Sequence, residues 1–425
     1  MLMDQQSWEE RLALIVETMR EMSQHSDPQE MVRSYGERVR HFSPQHRRLS
    51  LSRRGLSRPW YRITRSTTWD EVINPWKERD RLPLLSGGLL AELIYGDLPR
   101  VIDQLPSTAD DPAAEYLAGQ QSLLAIPMFD QGESLNMVII LREDSAAFDR
   151  EQIPDMVWRT NLFGRATANL VLKDELQRAY QTLDREFKAV GDIQRALLPG
   201  ALPEIPTLDL AAHYQPAQRA GGDYYDFFPL PDGRWGIFIA DVSGHGTPAA
   251  VVMAVTHCIA HTHPGPATPP ARVLEYLNHH LATRYASLSE TFVTAFYAIY
   301  DPDQRSLTYA SAGHNPPRLK RCSDGALRAI DGANALPLGL LPGQAYRETS
   351  ITLAPGDQMI FYTDGFVETH SPGGEMFGTG RLDQLLAESS AQAQDLLNSV
   401  LNAVDEFASG RPADDDRTMI VARVT

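Results

Sequence analysis

The chain has 425 residues, of which 43% are apolar and 22% charged, with a formal net charge of −16. That length suggests two or three domains, the composition excludes a disordered chain, and no apolar run approaches the ~20 residues that span a bilayer. Residues 201–425 carry 14 basic and 25 acidic side chains and the remainder 25 and 30, or −11 and −5, a balance that argues against nucleic acid as the main partner. The opening MLMDQQSWEERL has early acids and no apolar core, so it does not read as a secretory signal. Cys258 and Cys322 form no CxxC or zinc pattern, and no cysteine-phosphatase loop is read around Cys322. The expectation is a reducing, cytoplasmic setting.

The first segment opens with a helical pattern around Trp8–Met22, with Trp8, Leu12, Ile15 and Met19 on one face. His46 to Arg65 is Arg-rich and reads either as a solvated strand face or as a phosphate- or anion-binding patch. SLLAIPMFD, the turn QGES and LNMVIILRED read as strand, turn and strand, and Asp149 and Glu151 precede a new helix.

The second segment, about Leu162 to Leu198, has no proline and a seam of alternating four and three spacings at Leu176, Tyr180, Leu183, Phe187, Val190 and Leu197. Gln194 takes a seam position beside Gly191, where the seam is poorly specified. The segment reads as a dimerising coiled-coil connector, or alternatively as one amphipathic helix packed on its own domain.

The third segment follows the Pro-rich break Pro199–Pro206. Short strands (WGIFIADV, FVTAFYAIYD, SLTYASAG, DQMIFYTDG, TMIVARV) alternate with helical stretches near Pro248–His261, Pro270–Tyr285 and Arg381–Phe407. Short turns between several strands favour a layered structure of largely antiparallel sheets over a doubly wound one.

Four acidic clusters fall at strand ends or loops of this segment: GGDYYDFF (Gly221–Phe228), IADVSGHG (Ile239–Gly246), FYTDGFVE (Phe361–Glu368) and DDDRTMIV (Asp414–Val421). Asp241 and Asp364 each follow an apolar strand and precede a Gly-containing turn. A carboxylate at the mouth of a buried strand is costly unless something pairs it, and Arg417 is the only Arg or Lys in these clusters. Converging all-oxygen donors point to hard divalent ions, Mg²⁺ or Mn²⁺. A single Asp-Gly is more often a turn, and Asp414–Asp416 alone reads as a solvated loop; the four in this order are harder to dismiss.

GGDYYDFF, ADVSGHG, SAGHNPP (Ser311–Pro317), YTDGFVE and DDRT, with IQRALLP and YQPAQRAGGD before them, resemble the ordered motifs of the bacterial PP2C-type serine/threonine phosphatases, in the branch of the stage II sporulation phosphatase and the stress-response phosphatases. The resemblance covers about Phe187 to the C-terminus and implies a PP2C-type αββα sandwich with a binuclear Mn²⁺ or Mg²⁺ site. It implies Asp241 as the carboxylate shared by two ions, the Val242 carbonyl as a further ligand, Asp223 on one ion, and Asp364 and Asp415 on the other. Asp226 and Asp416 are placed nearby with less definite roles. The implied activity is attack on phosphorus by a metal-activated water, with a phosphorylated STAS-type anti-sigma-factor antagonist as partner.

In the wider eukaryotic PP2C pattern an acid-like histidine stands two residues after the shared Asp; here that position is Ser243, so no general-acid histidine is read. His245 either shapes its loop or moves a proton, His314 is expected to order a loop, and His213 and His257 read as packing residues. Arg219 is a phosphate-gripping candidate by proximity only.

The first segment resembles a GAF domain on Ser122–Ile153, which implies an α+β sensor with a pocket over an antiparallel sheet; a pocketless dimerisation module is the alternative. The expected organisation is α+β and multidomain: a GAF-like sensor at 1–161, a helical coiled-coil linker at 162–200 acting on the catalytic element Leu197–Asp223, and a PP2C-type domain at 201–425, in a homodimer. The competing readings are a non-catalytic dimeric scaffold that binds its partner through the acidic site, and a metal-dependent nucleotide hydrolase, which lacks a P-loop.

Overall fold

In the computed structural model, residues 8–42, 46–107, 109–284, 291–389 and 392–425 are described, and the chain falls into two units, Met1–Tyr180 and Gln181–Thr425. The first begins with helices α1 (Trp8–Gln24) and α2 (Pro28–Phe42). Leu12 and Met19 of the expected α1 face are exposed; the side chains of Trp8 and Ile15 lie outside the described residues. There follow strands β1 (Arg47–Ser52), β2 (Trp60–Ser66) and β3 (Leu84–Ser86), helix α3 (Gly88–Ile94), β4 (Arg100–Ile102), the short α4 (Ala114–Leu117), β5 (Ser122–Asp130) and β6 (Glu133–Arg142).

The strands form one sheet in the order β3-β2-β1-β6-β5-β4, with antiparallel pairings throughout. The β5–β6 hairpin turns at Gln131 and Gly132, both at positive φ, the conformation that matches the strands' twist. Alternate strand residues face opposite ways. Leu123, Ala125, Met137, Ile139 and Leu141 pack with Leu90 and Leu93 of α3 on one face. Leu124, Ile126 and Ile140 pack with Phe148, Ile153 and Met156 on the other.

Helix α5 (Ile153–Arg195) has 43 residues, about 65 Å at 1.5 Å per residue. It starts well before residue 162 because Asp149 accepts the Glu151 N–H and caps the turn leading into it, and Ile153 and Met156 pack against the sheet face. The unit boundary falls inside it, between Tyr180 and Gln181. The seam residues Leu176, Tyr180, Leu183 and Phe187 are exposed. The seam does not continue to its expected end: Gln194 and Leu198 are buried, and Leu197 packs on the core of the second unit.

The second unit contains β7 (Leu208–Gln215), β8 (Tyr224–Pro229), β9 (Trp235–Val242), α6 (Thr247–His261), α7 (Pro270–Arg284), β10 (Val293–Asp301), β11 (Ser306–Ala312), β12 (Arg318–Lys320), β13 (Leu327–Ala329), β14 (Thr349–Thr352) and β15 (Gln358–Tyr362). The short α8 (Asp364–Val367), α9 (Gly378–Glu388), α10 (Ala393–Ala408) and β16 (Arg417–Val424) complete it. The stretch read as one helix near Arg381–Phe407 is therefore two helices.

The strands form two five-stranded antiparallel sheets, ordered β14-β11-β10-β9-β8 and β13-β12-β15-β16-β7. Helices α6 and α7 lie on the first and α9 and α10 on the second, giving four layers in the order expected of an αββα sandwich. Strand parity builds the cores: Met359, Phe361, Ile420 and Ala422 point between the sheets, while Ile360, Tyr362, Met419 and Val421 meet α10 through Leu396, Leu397 and Val400.

Candidate active site

Each acidic residue sits where a buried strand runs out. Asp241 is the penultimate residue of β9, opposite Thr294 of β10. Asp364 opens α8 directly after β15 and Thr363. Asp415 and Asp416 precede β16, and Asp223 precedes β8. The strands are held by the apolar cores on their faces, so the carboxylates are carried to one end of the two sheets.

There they act on one another. Burial raises the Asp241 carboxyl to about 8, helped by Asp364, Asp415 and Asp416. Asp241 is thus the member that feels the whole group. Asp223, 1% exposed, is pushed well above the carboxylate range by burial and then by Asp241 and Asp416. Burial and Asp415 raise Asp364 to about 6, and burial raises Asp416.

No Arg or Lys among the described residues offsets these charges. Arg417 turns to Asp405 and Thr369. Arg219 does not face the carboxylates but pairs with Asp184 of α5 at 2.8 Å.

The oxygens are differently engaged. Thr363 Oγ1 donates to Asp223 Oδ2 at 2.8 Å, while Asp223 Oδ1 is buried with no hydrogen-bond partner. Both oxygens of Asp416 accept backbone N–H groups, from Ala217 at 2.7 Å and Gly222 at 2.5 Å, so this residue orders the loop before Asp223. Asp226 does not join the group: three residues beyond Asp223, it faces α6 and meets His261 at 2.7 Å. Its strand parity carried that information.

A buried carboxylate oxygen without a partner, mutual repulsion and an all-oxygen donor set fit hard divalent cations. Asp223, Asp241, Asp364 and Asp415 remain the candidates to hold them. The Val242 carbonyl lies beside them, where a Cβ on Gly222 would come within 2.8 Å of its oxygen.

Gln218 Nε2 donates to His245 Nδ1 at 3.0 Å, tying the SGHG loop to the loop before Asp223. His314 is buried, lowered to about 4 by burial, and bonded to Thr294 at 2.8 Å beneath Asp241. His213 packs against Phe366, as expected of a core residue. His257 packs edge-on against Tyr224 and beside His261.

Arg328 stands six residues after Cys322, the spacing of a cysteine-phosphatase loop. The segment is instead the β12–β13 hairpin, and the Cys322 N–H donates to Asp357 at 2.8 Å, so it forms no anion cradle.

Helix α5 reaches this site. Gln194 Oε1 accepts the Gly221 N–H at 2.9 Å and its Nε2 donates to the Gly221 carbonyl. Gly191 lies so near the Arg219 carbonyl that a Cβ there would fall inside 3.0 Å. The glycine that seemed to weaken a seam is a close approach of helix to loop.

Residues 231–425 match the family model of stage II sporulation protein E (SpoIIE). The C-terminal unit is a SpoIIE-type PP2C phosphatase domain. The match takes in Asp241, Asp364 and Asp415 and stops short of Asp223. Phosphoserine phosphatase RsbU of Bacillus subtilis (strain 168) is 29% identical over 249 residues, covering 58% of this chain and 72% of RsbU. Phosphoserine phosphatase RsbP of the same organism is 23% identical over 242 residues, 56% of this chain and 58% of RsbP, so the match spans less than two thirds of that relative. In fold, the SpoIIE-type domain is similar to the SiaA-PP2C domain of Pseudomonas aeruginosa, with a TM-score of 0.51, 22% identity, and coverage of 58% of this chain and 99% of that one.

The N-terminal unit has a cleft of about 720 Å³ lined by Arg54, Arg62, Arg65, Arg79 and Arg165. Asp130 pairs with Arg54 and Arg165. Arg65 lies over the Trp76 ring at 5.2 Å and is lowered to about 10 by burial.

Proposed function

We propose that this protein serine/threonine phosphatase hydrolyses phosphoserine or phosphothreonine on a partner protein, using two divalent ions, Mn²⁺ or Mg²⁺, held by Asp223, Asp241, Asp364, Asp415 and the Val242 carbonyl. The observation that carries this is the convergence of buried carboxylates with no facing cation and an unpartnered Asp223 oxygen. Ions bound there would activate water near neutral pH and offset charge on the phosphoryl group. The chain's own residues do the positioning. Thr363 orients Asp223, Asp416 holds the Ala217–Gly222 loop, and His245 pins that loop to the turn after Asp241. The partner is proposed to be a STAS-type regulator, because removing a phosphoserine charge can switch such an interface.

The N-terminal unit is proposed to be a GAF-like sensor at 1–161, with the Arg-lined cleft as an anion site in line with the Arg-rich stretch. The exposed seam Leu176, Tyr180, Leu183 and Phe187 supports dimerisation of the 162–200 linker as a coiled coil. A change in α5 would reach Asp223 through the Gln194–Gly221 bonds. The setting is proposed to be cytoplasmic; no described helix is long and apolar enough to cross a membrane.

The test is p-nitrophenyl phosphate hydrolysis by the full chain with Mn²⁺, with Mg²⁺ and with EDTA. Activity should require metal and fall at least a hundredfold in Asp364→Ala. Metal-independent turnover, or a fully active Asp364→Ala, would remove the proposal.

A further inference from the structure

We propose that the phosphatase unit carries a second metal site, separate from the acidic cluster, in which Asp226, His257 and His261 bind a transition-metal ion of the Zn²⁺ class. His257 and His261 are four residues apart on α6, which places them on one helix face, with ring centroids 4.3 Å apart. Asp226 reaches them from β8. One ligand atom from each of the three lies within 4.8 Å of the others, the only such trio among the described residues. A tetrahedral ion with bonds near 2.0–2.1 Å needs ligand atoms about 3.3 Å apart. Small side-chain rotations close that difference.

The three groups are poised for this. His261 Nε2 and Asp226 Oδ2 already meet at 2.7 Å, sharing a proton that an ion would replace. Nδ1 of His257 is buried with no hydrogen-bond partner, a costly state that ligation by this atom would relieve. Burial also lowers the His257 pKa, favouring the neutral imidazole that binds metal. The carboxylate is oriented from behind: the Tyr224 hydroxyl donates to Oδ2 at 2.5 Å and the Phe227 N–H to Oδ1 at 2.7 Å, the outer support that metal-ligating carboxylates have. The His261 side chain is 45% exposed, which leaves an entry path and a fourth position for water.

Two imidazoles and a carboxylate suit zinc and its neighbours, whereas the acidic cluster offers only oxygen and suits Mg²⁺ or Mn²⁺. The ion's place suggests its role. β8 begins directly after Asp223, and α6 begins directly after the turn that follows Asp241. An ion joining them would clamp the two elements that carry these ligands.

The experiment uses the full chain, stripped of metal and held in excess Mg²⁺, titrated with Co²⁺ as a spectroscopic probe. One equivalent should give the intense visible bands of a tetrahedral site with nitrogen ligands, and Zn²⁺ should displace it. His257→Gln and His261→Gln should each weaken binding at least tenfold, while the double variant His279→Ala/His280→Ala should keep it. A second readout is melting temperature: Zn²⁺ should raise it in the wild type and in Asp241→Asn, but not in Asp226→Asn. The proposal is overturned if the wild type shows no such bands, if excess Mg²⁺ abolishes them, or if the glutamine variants bind as the wild type does. The Asp241→Asn arm separates failure of this site from failure of the acidic one.

Discussion

Gly191→Ala sets a general rule against a specific contact. In a free helix interior the change is favourable by about 1 kcal/mol. Here the new Cβ would meet the Arg219 carbonyl oxygen inside 3.0 Å, with the carbonyl carbon also at 3.0 Å. Both obstacles are backbone, so no side-chain rotation relieves them, and helix or loop must shift by about 1 Å to restore ordinary contact distances. That shift strains both Gln194–Gly221 bonds. Leaving the Gly221 amide unsatisfied costs about 1–3 kcal/mol, which exceeds the helix gain. The variant should therefore melt several degrees lower, at about 2–4 °C per kcal/mol for a unit of this size. Because Gly221 and Gly222 lead into Asp223, activity should fall by about tenfold to a hundredfold, the order expected for a 1 Å misplacement. The assay pairs thermal melts with p-nitrophenyl phosphate turnover at saturating Mn²⁺. Gly200→Ala, which meets nothing within 4 Å, is the control. A Gly191→Ala protein that is more stable by the helix increment and fully active would refute the helix-to-loop contact.

Three further outcomes follow from the same geometry. Asp241 is raised to about 8, so the metal-free fold retains a proton that the unfolded chain has released. Its stability should fall as pH rises from about 6.5 to 8, by up to about 1.4 kcal/mol per unit for such a group, and excess Mn²⁺ should flatten that slope; a flat profile in EDTA would contradict it. The window starts at 6.5 because His314, lowered to about 4, gives the opposite trend below its ordinary value. Thr363→Val should cost about tenfold to a hundredfold in activity or metal affinity by freeing Asp223 Oδ2, and an unaltered Mn²⁺ dependence would show that the bond is idle. Leu176→Glu with Leu183→Glu should convert a dimer to a monomer by light scattering, since both side chains are exposed in the single chain.

Much of the acidic site was legible because each member follows a recognisable pattern. Asp241 and Asp364 end apolar runs and enter Gly turns, and β9 and β15 form where those runs lie. Asp226 was misplaced because its motif was read as a unit; parity along β8 sends it to the other side of the strand from Asp223. His257 was read only as a packing residue, because Asp226, which the fold brings near it and His261, comes from a different element. Gln194 and Gly191 could be read only as seam features, since their partners Gly221 and Arg219 are tertiary neighbours. The start of α5 at Ile153 depends on packing against the first unit's sheet, which helical periodicity alone does not encode.

The most direct test of the central claim is phosphate release from a phosphoserine-bearing STAS domain, followed by mass spectrometry, with Mn²⁺ present and with EDTA, by wild type and Asp241→Asn. The wild type should remove the phosphate only with metal, and Asp241→Asn should be slower by at least about a hundredfold, as for loss of a group central to transition-state stabilisation. Wild-type rates in Asp241→Asn, or release that persists in EDTA, would contradict a metal-bearing carboxylate site.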